Sequence, residues 1–153
     1  CSATWLHICS IMFAVCKQEQ HPLVSPQWLH SCVTGDHPNV VVLDVSIPMP
    51  GEQRDCFEEY KQMHIPGSKF LNLKECQDKN TKNAYMLPSV STFKDFMEEL
   101  GITNSSKVVV YDANKKKGMF SSPRAWYMFR VFGHADVSIL DGGLENWVKQ
   151  GEY

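Results

Sequence analysis

The 153-residue sequence has no excess of either charge: 15 Lys and Arg stand against 17 Asp and Glu, a formal net charge of -2. A surface this close to neutral gives no electrostatic reason to expect nucleic acid or an anionic membrane as partner. No C-x-x-C pair occurs, which argues against a zinc ribbon or a thioredoxin-type redox motif. No metal site or cofactor is expected. The six cysteines fall at positions 1, 9, 16, 32, 56 and 76, with none beyond. A disulfide scaffold spreads its cysteines throughout. Reduced, mostly buried thiols are therefore expected, in a mitochondrial matrix or cytoplasmic setting. No apolar run approaches the roughly 20 residues of a membrane span. The longest, Trp5 to Cys16, is interrupted by His7 and Ser10 and lacks both a basic flank and an A-x-A cleavage site. The chain opens on Cys instead of Met, so residues 1–21 are left unassigned. They are expected to be a targeting remnant or non-native upstream sequence on a fragment or processed form.

Apolar residues make up 43% and charged residues 21%, values that suit one globular domain with a real core. That domain is placed at 22–153. LVSPQWLHSCV predicts a helix carrying Leu23, Trp28, Leu29 and Cys32 or Val33 on one face, with Ser25 as cap and Pro26 in the first turn. VVVLDV from Val40, VVVYD from Val108 and VSILD from Val137 are apolar without alternation, the mark of strands buried on both faces. SIPMPG is a loop, and a short strand is expected from about Lys69. SVSTFKDFMEELGI is an amphipathic helix with Ser91 as cap and Gly101 as stop. SPRAWYMFRVFGH and GLENWVKQG are the remaining helices. Strands alternating with helices specify an α/β fold: an open, mainly parallel sheet with helices on both faces. Ligands in such folds gather at the carboxyl ends of the strands, here Asp44, Asp112 and Asp141.

In order and spacing, LVSPQWL, LDVS, EEYKQMHIPGSKFLNL, MLPS, ELGI, VVVYD, SPRAWYMFRVFGH and LDGGLENWVKQG resemble the rhodanese family. The similarity covers about 22 to 151. It is narrowest to the N-terminal half of the tandem thiosulfate and 3-mercaptopyruvate sulfurtransferases. The resemblance implies a non-catalytic first domain packed against a second, which carries the nucleophilic cysteine at the end of the strand matching VVVYD. The expected partners are that second rhodanese domain, in cis, and a small sulfur-containing substrate in the interdomain cleft. The chain stops at Tyr153, so the catalytic half is expected to lie outside it.

In VVVYDANKKKGMFSSPR the nucleophile's position holds Asp112. Sulfane-sulfur transfer needs a thiolate able to carry a persulfide; a carboxylate is a hard, weak nucleophile toward sulfur. Twelve positions separate Asp112 from Arg124, with Gly118 as the sole glycine between, so the loop is expected to be open and not an anion cradle. No catalytic residue is assigned. A rhodanese-related phosphatase is excluded, because no cysteine and arginine share one short loop.

Other residues carry narrower expectations. Lys115, Lys116 and Lys117 read as a solvated loop tip. Arg124 is expected to anchor the loop by pairing with Asp112 or Asp141. His64 is expected to bond neighbouring backbone. Cys32 and Cys76 read as inert core thiols, and Cys56 as lying in an exposed polar loop. By the resemblance, Phe120 is the loop aromatic at the cleft. Lys74 and Tyr85 stand where the mercaptopyruvate branch has an acidic residue and a histidine. A lysine and a tyrosine form no carboxylate–imidazole relay, which weighs against that assistance but does not establish thiosulfate as substrate. The alternative reading, of a different class, is a stand-alone inactive rhodanese-like module used for binding or regulation.

Overall fold

The computed structural model describes residues 21–35, 37–114 and 119–151. The lysine triplet and the N-terminal segment considered above therefore lie outside the described residues. Five parallel strands form one open sheet in the order β1-β5-β4-β2-β3: β1 (Leu23–Val24), β2 (Val40–Asp44), β3 (Lys69–Phe70), β4 (Lys107–Tyr111) and β5 (Val137–Leu140). The connecting helices are α1 (Pro26–Thr34), α2 (Cys56–Gln62), α3 (Val90–Glu99), α4 (Ser122–Val131) and α5 (Gly143–Lys149). The expectation of a mainly parallel sheet sharpens to an all-parallel one among the described residues.

The central strands are apolar throughout because each face of the sheet meets helices. Successive side chains of β4 point to opposite sides. Val108 and Val110 join Phe93 and Met97 of α3 and Met128 and Phe129 of α4 in one core. Val109 and Tyr111 join Trp28 and Leu29 of α1 and Leu144 and Trp147 of α5 in the other. The pairing of β2 with β4 runs from Val40 opposite Lys107 to Asp44 opposite Tyr111. It brings the carboxyl ends of both strands level, at Asp44 and Asp112.

Local chemistry sets the helix starts. Ser25 Oγ accepts the Trp28 N–H at 3.2 Å, and Pro26 fills the first turn, as the sequence implies. Leu23 departs from expectation: it belongs to β1 and is exposed, so the helix begins later. The cap of α3 is Ser89, not Ser91; Ser89 Oγ accepts the Thr92 N–H at 3.1 Å, while Ser91 spends its hydroxyl on Ser89. Cys56 is also corrected. Asp55 caps α2 through the N–H groups of Phe57 and Glu58, which draws Cys56 into the first helical position and buries it.

Candidate functional site

The carboxyl ends of β2 and β4 converge on two buried acids. Asp112, 1% exposed, directs Oδ2 at the N-terminus of α4. It accepts the backbone N–H groups of Phe120 at 2.8 Å, Ser121 at 2.9 Å and Ser122 at 3.1 Å. The hydroxyls of Ser122 and Ser121 add donors at 3.1 and 3.3 Å. A negative charge is stabilised there by orphan helix donors and by the helix dipole. Ser121, formally the cap of α4, makes no side-chain cap bond of its own. Asp112 supplies that bond from across the loop. The expected open loop is thus corrected at its described ends: they close over an anion, and the anion is the chain's own carboxylate.

Asp44 ends β2 in the same region. Its Oδ1 accepts the Ser46 N–H at 2.9 Å and the Ser46 hydroxyl, and Ser46 Oγ in turn accepts the Ala113 N–H at 2.9 Å. Burial holds the Asp44 carboxyl above its ordinary range despite the Ser46 donors, and the nearby Asp112 charge adds to the rise. Tyr111 OH accepts from Ile65 N–H at 3.3 Å and contacts Ser68 Oγ at 3.1 Å. Burial drives that phenol well above its usual value.

Arg54 ties the other side of the strand ends together. Its Nε donates to Glu59 Oε1 at 2.9 Å, a second nitrogen engages Glu59 Oε2, and Nη1 donates to Asn114 Oδ1 at 2.8 Å. Glu52 lies at 3.5 Å from the same guanidinium. The Glu59 bonds lift the Arg54 pKa further. Beside this cluster a cleft of about 700 Å³ opens between α2 and α5, bordered by Met49, Arg54, Met63, Asn114, Leu144 and Val148. Arg54 is a site residue that the local sequence does not mark. Its bond to Asn114 spans 60 positions and leaves no local signal.

The remaining candidates disperse. Arg124 pairs with neither Asp112 nor Asp141: Asp112 directs Oδ2 at the amides that open α4, and Asp141 is exposed beyond β5. Arg124 instead is half-buried, and desolvation lowers its pKa. Phe120 is 37% exposed while its N–H holds Asp112. Tyr85 packs on the α3/α4 core with a left-handed φ of 60°, its N–H held by the Gln77 side chain. Lys74 is exposed. His64 Nδ1 lies 2.7 Å from Tyr60 O, and its ring stacks on Tyr60 at 4.4 Å. Among the described residues no hydrogen bond joins His64 to Asp112 or Arg124.

No thiol replaces Asp112 at a strand end among the described residues. Cys32, Cys56 and Cys76 are buried thiols outside any disulfide. Burial pushes the Cys56 and Cys76 thiols each up to about 11 against the pull of Arg54 and Arg124, respectively.

A sheet in this order, with a strand-to-helix loop folded on an anion, is the setting in which the family model for the rhodanese-like domain matches residues 25–150. The chain belongs to the rhodanese family. It is 47% identical over 131 residues to thiosulfate sulfurtransferase of Gallus gallus, covering 84% of this chain and 45% of that protein. It is 45% identical over 130 residues to the mitochondrial thiosulfate/3-mercaptopyruvate sulfurtransferase 1 of Arabidopsis thaliana, covering 85% and 33% respectively. The crystal structure of the 3-mercaptopyruvate sulfotransferase SseA from Escherichia coli superposes with a TM-score of 0.77 at 36% identity. That superposition covers 85% of this rhodanese chain and 48% of SseA. The chain therefore spans about half the length, or less, of the relatives it matches.

Proposed function

We infer that this chain is the N-terminal, non-catalytic rhodanese domain of a tandem sulfurtransferase, with the domain over residues 22–153 and 1–21 preceding it. The whole protein moves sulfane sulfur from thiosulfate or 3-mercaptopyruvate to a thiol or cyanide. In that reaction a thiolate of the second domain attacks the sulfane sulfur, and sulfite or pyruvate leaves. The outer sulfur of the resulting persulfide then passes to the acceptor and the thiolate returns. One observation carries the assignment for this half: the nucleophile's position after β4 is Asp112, whose carboxylate consumes the loop amides that would hold an anionic substrate. Phe120 and the described ends of its loop form one wall of the interdomain cleft. The mitochondrial matrix or cytosol fits buried thiols outside any disulfide.

The test is thiocyanate formation from thiosulfate and cyanide by the isolated chain. No turnover above the uncatalysed rate is expected. Turnover that disappears in Asp112→Ala would overturn the assignment.

A further inference from the structure

Among the described residues, neither Asp112 nor Phe120 borders the cleft between α2 and α5, so it stands apart from the proposed sulfur-transfer wall. Its volume of about 700 Å³ is that of a small-molecule site. Met49 from the loop after β2, Met63 from the end of α2, and Leu144 and Val148 of α5 give it apolar walls. Charged side chains on its border are already paired. Arg54 holds Glu59 and Glu52, and Lys149 Nζ lies 2.7 Å from Glu145 Oε1. A charged ligand would have to compete with these ion pairs; an uncharged one does not. One polar group on the wall is unspent. Asn114, 3% exposed, gives its Oδ1 to Arg54 Nη1 at 2.8 Å, which fixes the orientation of the amide. Its Nδ2 finds no acceptor among the described residues. A buried amide donor left unbonded is unfavourable, and an acceptor that reaches it recovers that cost.

We propose that this cleft is a binding site for a small uncharged ligand with an apolar body and a carbonyl oxygen that accepts the Asn114 Nδ2–H. The body fills the space between the two methionines and the α5 face, and the carbonyl sets its orientation. Nδ2 is itself buried, so the acceptor reaches it by displacing a side chain. Met49 and Met63, unbranched and with three rotatable bonds, are the apolar lining residues that yield most readily. Asn114 does not yield, because Arg54 holds it and is itself held by Glu59 and Glu52. Binding involves no covalent step and leaves the Asp112 bonds to α4 in place.

The probe is N-pentylacetamide, titrated into the ¹⁵N-labelled chain. Its comparisons are acetamidohexanoate, which ends the same frame in a carboxylate, and acetamide, which has the carbonyl without the body. With N-pentylacetamide, saturable shifts are expected at the Asn114 side-chain NH2 signals and at the Leu144 and Val148 amides. The carboxylate should bind at least about fivefold more weakly, and acetamide should give no saturable shift. Asn114→Asp keeps the acceptor for Arg54 and replaces only the donor. It should weaken binding of the probe about fivefold, the equivalent of roughly 1 kcal/mol. Met63→Ser, at an exposed position, should weaken it too by removing apolar wall. Amide spectra retained away from the cleft will show that both variants fold. Shifts that stay linear, that map elsewhere, or that are as strong with the carboxylate overturn the proposal. So does probe binding untouched by Asn114→Asp.

Discussion

The Cα of Gly143 is seated against the carbonyl oxygen of Asp112, so closely that a Cβ there would lie 2.4 Å from it. The same oxygen accepts the Leu144 N–H at 3.1 Å. The start of α5 is therefore pinned to the end of β4. The φ of 59° at Gly143 is one that L side chains adopt at a cost.

Gly143→Ala should destabilise the domain by about 2–4 kcal/mol, combining the left-handed backbone penalty with an overpacking clash against rigid main chain. Gly151→Ala is the control. Its φ of 74° is equally unfavourable, but a Cβ there meets nothing within 4 Å, so about 1 kcal/mol is expected. Urea denaturation of both variants checks the difference. Equal losses would mean that the contact with Asp112 is slack.

Asp112 is the next place to press. Asp112→Ala removes the acceptor for three amides and two hydroxyls at a buried helix end. A loss of about 2–4 kcal/mol is expected, above that of an ordinary exposed cap, because the abandoned donors stay buried. Asp112→Asn keeps one acceptor oxygen but loses the charge facing the helix dipole, and should fall between. Thermal melts and amide exchange at the start of α4 measure both. A silent Asp112→Ala would remove the case for a structural carboxylate.

How far these contacts could be anticipated varies with their range in sequence. β2, β4 and β5 were legible because burial on both faces writes an uninterrupted apolar run. Two-residue strands such as β1 and β3 are too short to carry a period, which is why Leu23 reads as helix face until the sheet is seen. Ser89 and Ser91 both satisfy the chemistry of a cap, and only the backbone path after Pro88 decides between them. The strand-end position of Asp112 was legible from the loop's layout. That its carboxylate turns to the amides of Phe120, Ser121 and Ser122 and not to the Arg124 guanidinium leaves no signal in the residue types. Arg54 and Asn114 meet through tertiary packing alone.

The buried thiols should behave as core atoms. With pKa values pushed up to about 11, Cys56 and Cys76 hold almost no thiolate at pH 7.5. Iodoacetamide at that pH should label neither in the native chain within a time that modifies both in urea, as peptide mass spectrometry will report. Native labelling of Cys56 at the rate of a free peptide thiol would contradict its burial at the start of α2 and return it to the exposed setting its sequence suggests.

Asp44 makes a pH prediction whose sign follows from its raised pKa. An acid whose folded pKa exceeds its unfolded value binds its proton more tightly in the native state. Its contribution to stability is therefore full below the unfolded pKa, roughly 4, and is lost as pH rises through the folded pKa. Asp44→Asn mimics the neutral form and keeps an acceptor for the Ser46 N–H. Relative to the parent chain, the variant should gain stability as pH rises from about 4 toward 7. Asp112 must stay unmutated in this comparison, since its charge is one cause of the shift. Urea midpoints for both chains across that range supply the measurement. A variant that instead loses ground with rising pH would show that the Ser46 donors outweigh desolvation, and that Asp44 is ionised as a stabilising member of the strand-end network.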